Sequence, residues 1–400
     1  MKILMVVPQA FYSPRGTPLS AYHRTRDLRA LGHEVDILTY AVGDPPPDAE
    51  LNVFRSIGPH FASRIKQGPS YLKIWFDFLM LLNLVWRLAR GRYDLIYAHE
   101  EGAFLALLVA PLFGLPVVYD MHSSLPRQIK EWNFSRSDAV VGWFRWVERF
   151  ILRRSLAVVA IAPGLAEAAR SIVPDVRLVT IVNKFALDAD ARPEDAERIR
   201  RELNLAPGQP VVLYTGSFVK LQALDLLVKA IPAVAAKIPD VRFVLVGGRS
   251  AEIAELQRLG DRVGAGPYLI LLPERPQAEM PAFMGAASVL VSPRVRGINP
   301  PGKLFSYLNS GRPIVATDCE VHTQFLTPQC AILTRPDSAA FADGILTALQ
   351  DPDRVRAITR AAKEVLATDY SDAARARAYD QLVNLIGMAE RVSLTSARHG

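Results

Sequence analysis

The segment from Ser292 to Asp318, SPRVRGINPPGKLFSYLNSGRPIVATD, holds the densest set of residues able to do chemistry. A short apolar run leads into Arg294, Arg296, Gly297 and two prolines, and Gly302-Lys303 then opens a short helix that Gly311 closes as a C′ glycine. Arg296 and Lys303, with the free amides at that helix start, suit a diphosphate. A second loop, GSFVK, follows VVLYT: Gly216 permits close backbone approach, and Lys220 suits a phosphate or, equally, plain solvent. Near the start of the chain, PQAFYSPRGTPLS follows KILMVV. There Gly16 brings backbone close, Thr17 reads as an N-cap and Pro18 as the first helical residue, with an ordinary strand-to-helix turn as the plain alternative.

Two titratable clusters end apolar runs. His99-Glu100-Glu101 follows DLIYA, and Asp120-Met121-His122-Ser123-Ser124 follows PVVY. Polar groups closing two buried strands are the pattern of an active site; one such histidine alone would more simply be a core residue. The same loops exclude a nicotinamide dehydrogenase, because GxGxxG is absent and no acid follows Thr39-Tyr40 to hold a ribose. Cys319 and Cys330 have no metal-binding spacing and read as reduced cytosolic thiols. With no convincing DxD-like pair, no metal is expected.

The elements that must position these loops alternate along 400 residues, enough for two domains. Strands are predicted at Lys2–Val7, Glu34–Tyr40, Asp94–His99, Val117–Met121, Ala157–Ile161 and Val176–Val182. Helices are predicted at Pro18–Leu31, Tyr71–Ala89, Gly102–Phe113, Val140–Arg154 and Leu165–Ser171. Polar, charged sequence interrupts the pattern from Asn183 to Pro210, and a linker is placed at Asn183–Pro193. Strands then resume at Val211–Thr215, Arg242–Gly247, Tyr268–Leu272, Ser288–Ser292 and Pro313–Ala316, with helices between and two more closing the chain. The expected fold class is α/β, with two doubly wound parallel-sheet domains (residues 1–185 and 194–370) followed by a helix over 371–388. Ligands bind such sheets outside the carboxyl ends of the strands, at a cleft between two such domains.

Net charge is +7, which favours anionic partners. Between Leu51 and Tyr93, Arg55, Arg64, Lys66, Lys73, Arg87, Arg90 and Arg92 face a single acid, Asp77. Within that region YLKIWFDFLMLLNLVWRLARGR is too short an apolar run to cross a bilayer. Trp75 and Trp86 edged by Lys73 and Arg87 suit an interfacial helix on anionic lipid, with Arg64 and Lys66 extending the basic region. A packing helix with a solvated basic end is the competing reading. The uncharged stretch Gly102–Tyr119 is broken by Pro111, Gly114 and Pro116 and is no membrane span, and the first residues are too short an apolar run for a signal peptide. No nucleic-acid module accompanies the charge.

RGTPLSAYHRTRDLRALGHEVDILT, YDMHSSLP and KLFSYLNSGRPIVATD resemble glycosyltransferase family 4, the large retaining family with the GT-B fold, and the resemblance runs from Lys2 to about Leu382. It implies a nucleotide-sugar donor on the C-terminal domain, an acceptor on the N-terminal domain and a last helix that crosses back to the latter. It places Gly16 beside the donor phosphates, His122 facing the transferred sugar and Lys220 near the phosphate contacts, with no cofactor beyond the donor. Asp120 and Glu100 are then the carboxylates to test for acceptor activation, and His99 joins the acceptor side. The family's Glu-x7-Glu is missing, its positions being Ile298 and Ser306, and Gln222-Ala223 stands for the usual Lys-Gly. Ser306 or Tyr307 is the substitute ribose contact. A lipid-linked or envelope-glycan acceptor and a peripheral place at the inner face of the cell membrane follow. A sugar-nucleotide epimerase and a non-catalytic, degenerate copy acting as a binding partner stay open as alternatives.

Overall fold

A computed structural model describes residues 1–13, 16–58, 71–127, 137–182, 192–297 and 301–396. The chain divides into two compact units, one formed by Met1–Phe185 with Asp372–Gly400 and the other by Ala186–Ser371.

Seven strands build the sheet of the first unit: β1 (Lys2–Val7), β2 (Glu34–Thr39), β3 (Asn52–Arg55), β4 (Leu95–His99), β5 (Val117–Met121), β6 (Ala157–Ala160) and β7 (Leu178–Thr180). They run parallel in the order β3-β2-β1-β4-β5-β6-β7. The connecting helices are α1 (Gly16–Ala30), α2 (Tyr71–Arg90), α3 (Gly102–Val109), α4 (Asp138–Arg154) and α5 (Pro163–Ile172). Strands covered on both faces must be apolar throughout, and β1, β4, β5 and β6 are buried nearly end to end. The winding reverses between β1 and β4, so the loops after β1, β4 and β5 gather beside the switch point.

The second unit repeats the design. β8 (Val211–Thr215), β9 (Arg242–Gly248), β10 (Leu269–Pro273), β11 (Val289–Ser292), β12 (Ile314–Thr317) and β13 (Ile332–Thr334) run parallel as β10-β9-β8-β11-β12-β13. Helices α6 (Pro193–Glu202), α7 (Leu224–Ala235), α8 (Ser250–Val263), α9 (Met280–Ala286), α10 (Lys303–Asn309), α11 (Glu320–Thr323), α12 (Ser338–Gln350) and α13 (Pro352–Thr368) complete it. Its switch point lies between β8 and β11, where the Gly216 and Lys303 loops emerge. The last helix, α14 (Asp372–Ser396), packs in the first unit, where Tyr379, Leu382 and Ile386 join the core of Ile3, Met5 and Tyr97.

Several expectations need correction. The polar stretch after the linker holds α6, a helix that buries only Ile199 and is fixed by Arg200, which donates to the carbonyls of Ala286, Ala206 and Gln209. β3 and β13 were not expected from the sequence: one is a half-exposed edge strand and the other has three residues. The helix expected over Gly102–Phe113 ends at Val109 and tightens into a 3₁₀ turn around Pro111. Helix α1 begins at Gly16, so Thr17 lies in its first turn rather than capping it. Most of the expected linker, residues 183–191, lies outside the described residues, as do Arg64 and Lys66.

Candidate active site

In the first unit the ends of β4 and β5 lie side by side, with His99 in register with Asp120. Asp120 is completely buried, and its Oδ2 accepts from Arg24 Nε and from Tyr97 Oη, both at 2.9 Å. Burial would raise its pKa, but the Arg24 guanidinium, with His122 and His99, holds the carboxyl well below the usual range. Its Oδ1 lies 3.2 Å from His122 Nε2, which is also 3.1 Å from His99 Nδ1. An ionised carboxylate can only accept, so an imidazole N–H is the partner that complements it. His99 is neutral, pushed down to about 3 by burial, and its Nε2 has no partner among the described residues.

His99, Asp120 and His122 are close enough together to suggest a metal site. Arg24 and Tyr97 already occupy one carboxylate oxygen, however, and a dication would sit beside the guanidinium. The donor set fits a hydrogen-bonded triad better. The loop after His122 is clamped from two sides. Ser123 Oγ donates to Glu100 Oε2 at 2.8 Å, while the Leu125 amide and Ser124 Oγ donate to Glu148 of α4 at 3.0 and 3.3 Å. Glu100 itself adopts a left-handed backbone, φ 49°, and burial pushes its carboxyl up while His122 pulls it down.

Arg24 also reaches α14. Its Nη1 donates to Tyr379 Oη at 3.2 Å, and Tyr379 Oη in turn donates to Asp27 Oδ2 at 2.9 Å, which Arg375 also bridges.

In the second unit Lys303, the first residue of α10, turns inward. Its Nζ donates to the Thr215 carbonyl at 3.0 Å and stands 3.5 Å from the centre of the Tyr214 ring. Burial and the neighbouring Arg294 charge push the ammonium well below its ordinary pKa. Beside it, Gly216 and Gly247 have φ of 127° and 119°, and a Cβ on Gly247 would lie 2.4 Å from the Gly216 carbonyl oxygen. His322 is buried under the same loops, its Nε2 2.8 Å from Ser292 Oγ, and burial pushes it down to about 4.

Two family models match the chain: "Glycosyl transferase 4-like domain" over residues 16–184 and "Glycosyl transferases group 1" over 209–351. This is a GT4-type glycosyltransferase of the GT-B fold. Its activity is the transfer of a sugar from a nucleotide-sugar donor. It is 26% identical to the 2-deoxystreptamine glucosyltransferase of Streptomyces kanamyceticus, over 86% of this chain and 92% of that protein. It is 25% identical to the phosphatidyl-myo-inositol mannosyltransferase of Mycolicibacterium smegmatis, over 93% and 91%. Sucrose-phosphate synthase of Thermosynechococcus elongatus shares the fold with a TM-score of 0.78 at 20% identity, covering 97% of this chain and 99% of that one. A structure of Anabaena HepE with UDP does so at 0.74 and 19%, covering 96% and 100%.

Set against this transferase, the expected site residues fall into three groups. His99, Glu100, Asp120 and His122 converge, but Asp120 is no acceptor base: it is sealed and committed to Arg24, so it positions His122. In the second unit Gly216 and Lys303 come together, whereas Lys220 and Arg296 are exposed loop residues. Tyr307 is not free for a ribose, because its hydroxyl is buried against the Thr215 amide and Oγ1, while Ser306 on the same helix is half-buried. Gly16 is exposed with φ 62° and Thr17 half-buried.

The third group is α2. Trp75 and Trp86 are exposed as expected, but Lys73 is mostly buried and paired with Glu101, and Arg87 lies over the Phe54 ring. Neither is a free basic contact for lipid. Sequence reasoning missed Arg24, Tyr97 and Glu148 in the first unit, and passed over Arg294 and His322 in the second. Arg24 had a readable signal: it falls on the Ala21-Arg24-Thr25-Leu28 stripe that α1 turns inward.

Proposed function

We propose that this glycosyltransferase binds its donor's diphosphate at the Lys303–Arg294 cluster, transfers the sugar with retention and accepts a lipid-linked or envelope-glycan acceptor on its first unit. One observation carries the reading: the half-buried Lys303 ammonium stands near the Arg294 guanidinium, beside two glycines that leave the backbone bare. Two neighbouring cations beside bare backbone amides suit the charge and shape of a diphosphate. The bond from the anomeric carbon to the diphosphate oxygen breaks, and the electron pair leaves with the nucleoside diphosphate. The acceptor oxygen bonds to the same face of that carbon and its proton passes to the departing diphosphate. Lys303 and Arg294 neutralise the charge that develops there, so the reading calls for no resident metal. His122, oriented by Asp120 and His99, addresses the transferred sugar through Nδ1. Ser306 replaces the missing carboxylate at the ribose, and Lys220 and Arg296 meet the donor from the loop surfaces.

The acceptor class is supported by the name of the phosphatidyl-myo-inositol mannosyltransferase relative and by the tryptophans that α2 leaves exposed. No described helix is long and apolar enough to cross a membrane, which fits contact at the inner membrane face through a surface helix. The test is turnover with a panel of UDP-, GDP- and ADP-sugars, with and without bacterial lipid extract. Nucleoside diphosphate release from one donor, raised by lipid and lost in Lys303→Ala, is the expected result. Epimerised sugar released without acceptor would replace transfer by isomerisation. Neither binding nor release across the panel would mean a degenerate copy.

A further inference from the structure

Most of the large apolar side chains exposed among the described residues belong to three neighbouring helices of the first unit, α2, α3 with its 3₁₀ extension, and α4. Helix α3 packs between the other two. All four described tryptophans are on two of these helices, α2 and α4, and each is about half exposed: Trp75 53%, Trp86 51%, Trp143 52% and Trp146 57%. An aromatic seam joins the helices, with Trp146 stacked on Phe150 at 5.7 Å and Phe150 edge-on to Phe104 of α3 at 5.9 Å. Exposed aromatic side chains gathered on adjacent helices in this way mark a surface that meets something apolar.

We infer that α4 is a bilayer-docking helix, seating Trp143 and Trp146 in an anionic lipid surface while its opposite face, through Glu148, holds the loop that follows His122. The charges commit the surface to lipid. Along α2, α3 and α4 the exposed ionised side chains are Arg90, Arg145, Arg149, Arg153 and Arg154 against the single acid Asp138. Trp143, Trp146, Phe150 and Arg153 recur every three or four residues and form one stripe; Val141, Glu148, Ile151 and Leu152 form the buried one. Aromatic rings with arginines around them are the composition of an interfacial helix, and a second copy bearing the same cations would be repelled. On the inner stripe, Glu148 accepts the Leu125 amide at 3.0 Å and Ser124 Oγ at 3.3 Å, three residues or fewer from His122. Lipid seating and the site therefore share one rigid element. This coupling rests on the reading of His122 given above, whereas the docking itself does not.

The first experiment is flotation of the full chain with phosphatidylglycerol-containing vesicles and with neutral phosphatidylcholine vesicles. Wild type is expected to float with the anionic vesicles, less so as salt rises. Substitution of both Trp143→Ser and Trp146→Ser should reduce the bound fraction by roughly tenfold or more. Arg149→Glu with Arg153→Glu, a purely surface change, should do the same if the tryptophan variant misfolds. Glu148→Gln should float like wild type but lose part of the lipid stimulation of turnover. Undiminished flotation of both multiple variants overturns the docking, as would a dimer in sedimentation velocity that the tryptophan changes dissolve. Lipid stimulation unaltered in Glu148→Gln overturns the coupling. Flotation needs no turnover, so an inactive protein that still floats would sink the catalytic reading and leave docking intact.

Discussion

Arg24 and Lys303 are two cations whose replacement separates folding from chemistry. Arg24 is matched: removing it leaves the ionised Asp120 uncompensated in a completely buried position. Arg24→Met is expected to destabilise the first unit by about 3–5 kcal/mol, measured by chemical denaturation. Lys303 has the opposite character, since its charged neighbour is Arg294 and its ammonium donates to a carbonyl. Lys303→Met should abolish nucleoside diphosphate release while raising stability, by about 1–2 kcal/mol, seen as a higher melting temperature without donor. The sequence made Lys303 legible because glycine, proline and lysine sit together after one strand. It hid Arg24, whose partner Asp120 lies 96 positions away. Lys73 failed for the same reason: beside tryptophans it reads as a lipid contact, and only the fold reveals Glu101 next to it.

At the scale of elements, α4 and the paired ends of β8 and β9 carry testable strain and charge. Burial pushes Glu148 up to about 7 from an ordinary 4.5 despite its bonds to Ser124 and Leu125. A folded pKa above the unfolded one means that folding takes up a proton, so stability falls as pH rises between those two values. Glu148→Gln keeps an acceptor for the Leu125 amide, loses the one that takes Ser124 Oγ, and does not ionise. Relative to wild type it should therefore gain about 2–3 kcal/mol between about pH 5 and about pH 8, read as a growing difference in melting temperature. Gly247 tests the second unit. With φ 119° and a Cβ that would meet the Gly216 carbonyl oxygen at 2.4 Å, Gly247→Ala should destabilise by roughly 3 kcal/mol or more and weaken donor binding, checked by calorimetry. Elements legible in the sequence were those with two buried faces, where apolar runs are unbroken, as in β1, β5 and β8. Helix α6 was not, because its one buried residue, Ile199, leaves no stripe to find.

Over the whole molecule, the two sheets share one strand order offset by seven strands, and the same places beside each switch point hold the chemistry. That much followed from the alternation of strands and helices. The path of the last helix could not be read from periodicity and came from family resemblance alone. Tyr379→Phe removes the hydroxyl that links Arg24 to Asp27. It should lower stability by about 1 kcal/mol and, if the link orients Asp120 and His122, reduce kcat more than KM.

The return of α14 to the first unit also bears on how the protein is made. Tyr379, Leu382 and Ile386 belong to the same core as Ile3 and Met5, so β1 meets these packing partners only after the whole second unit has been made. The second unit, continuous in sequence, has everything it needs sooner. Folding during translation should therefore run against chain order, with the later-made unit protected from protease first and the earlier one waiting, its apolar surface exposed, for α14. Pulse proteolysis of stalled nascent chains that end before Asp372 would register this order directly.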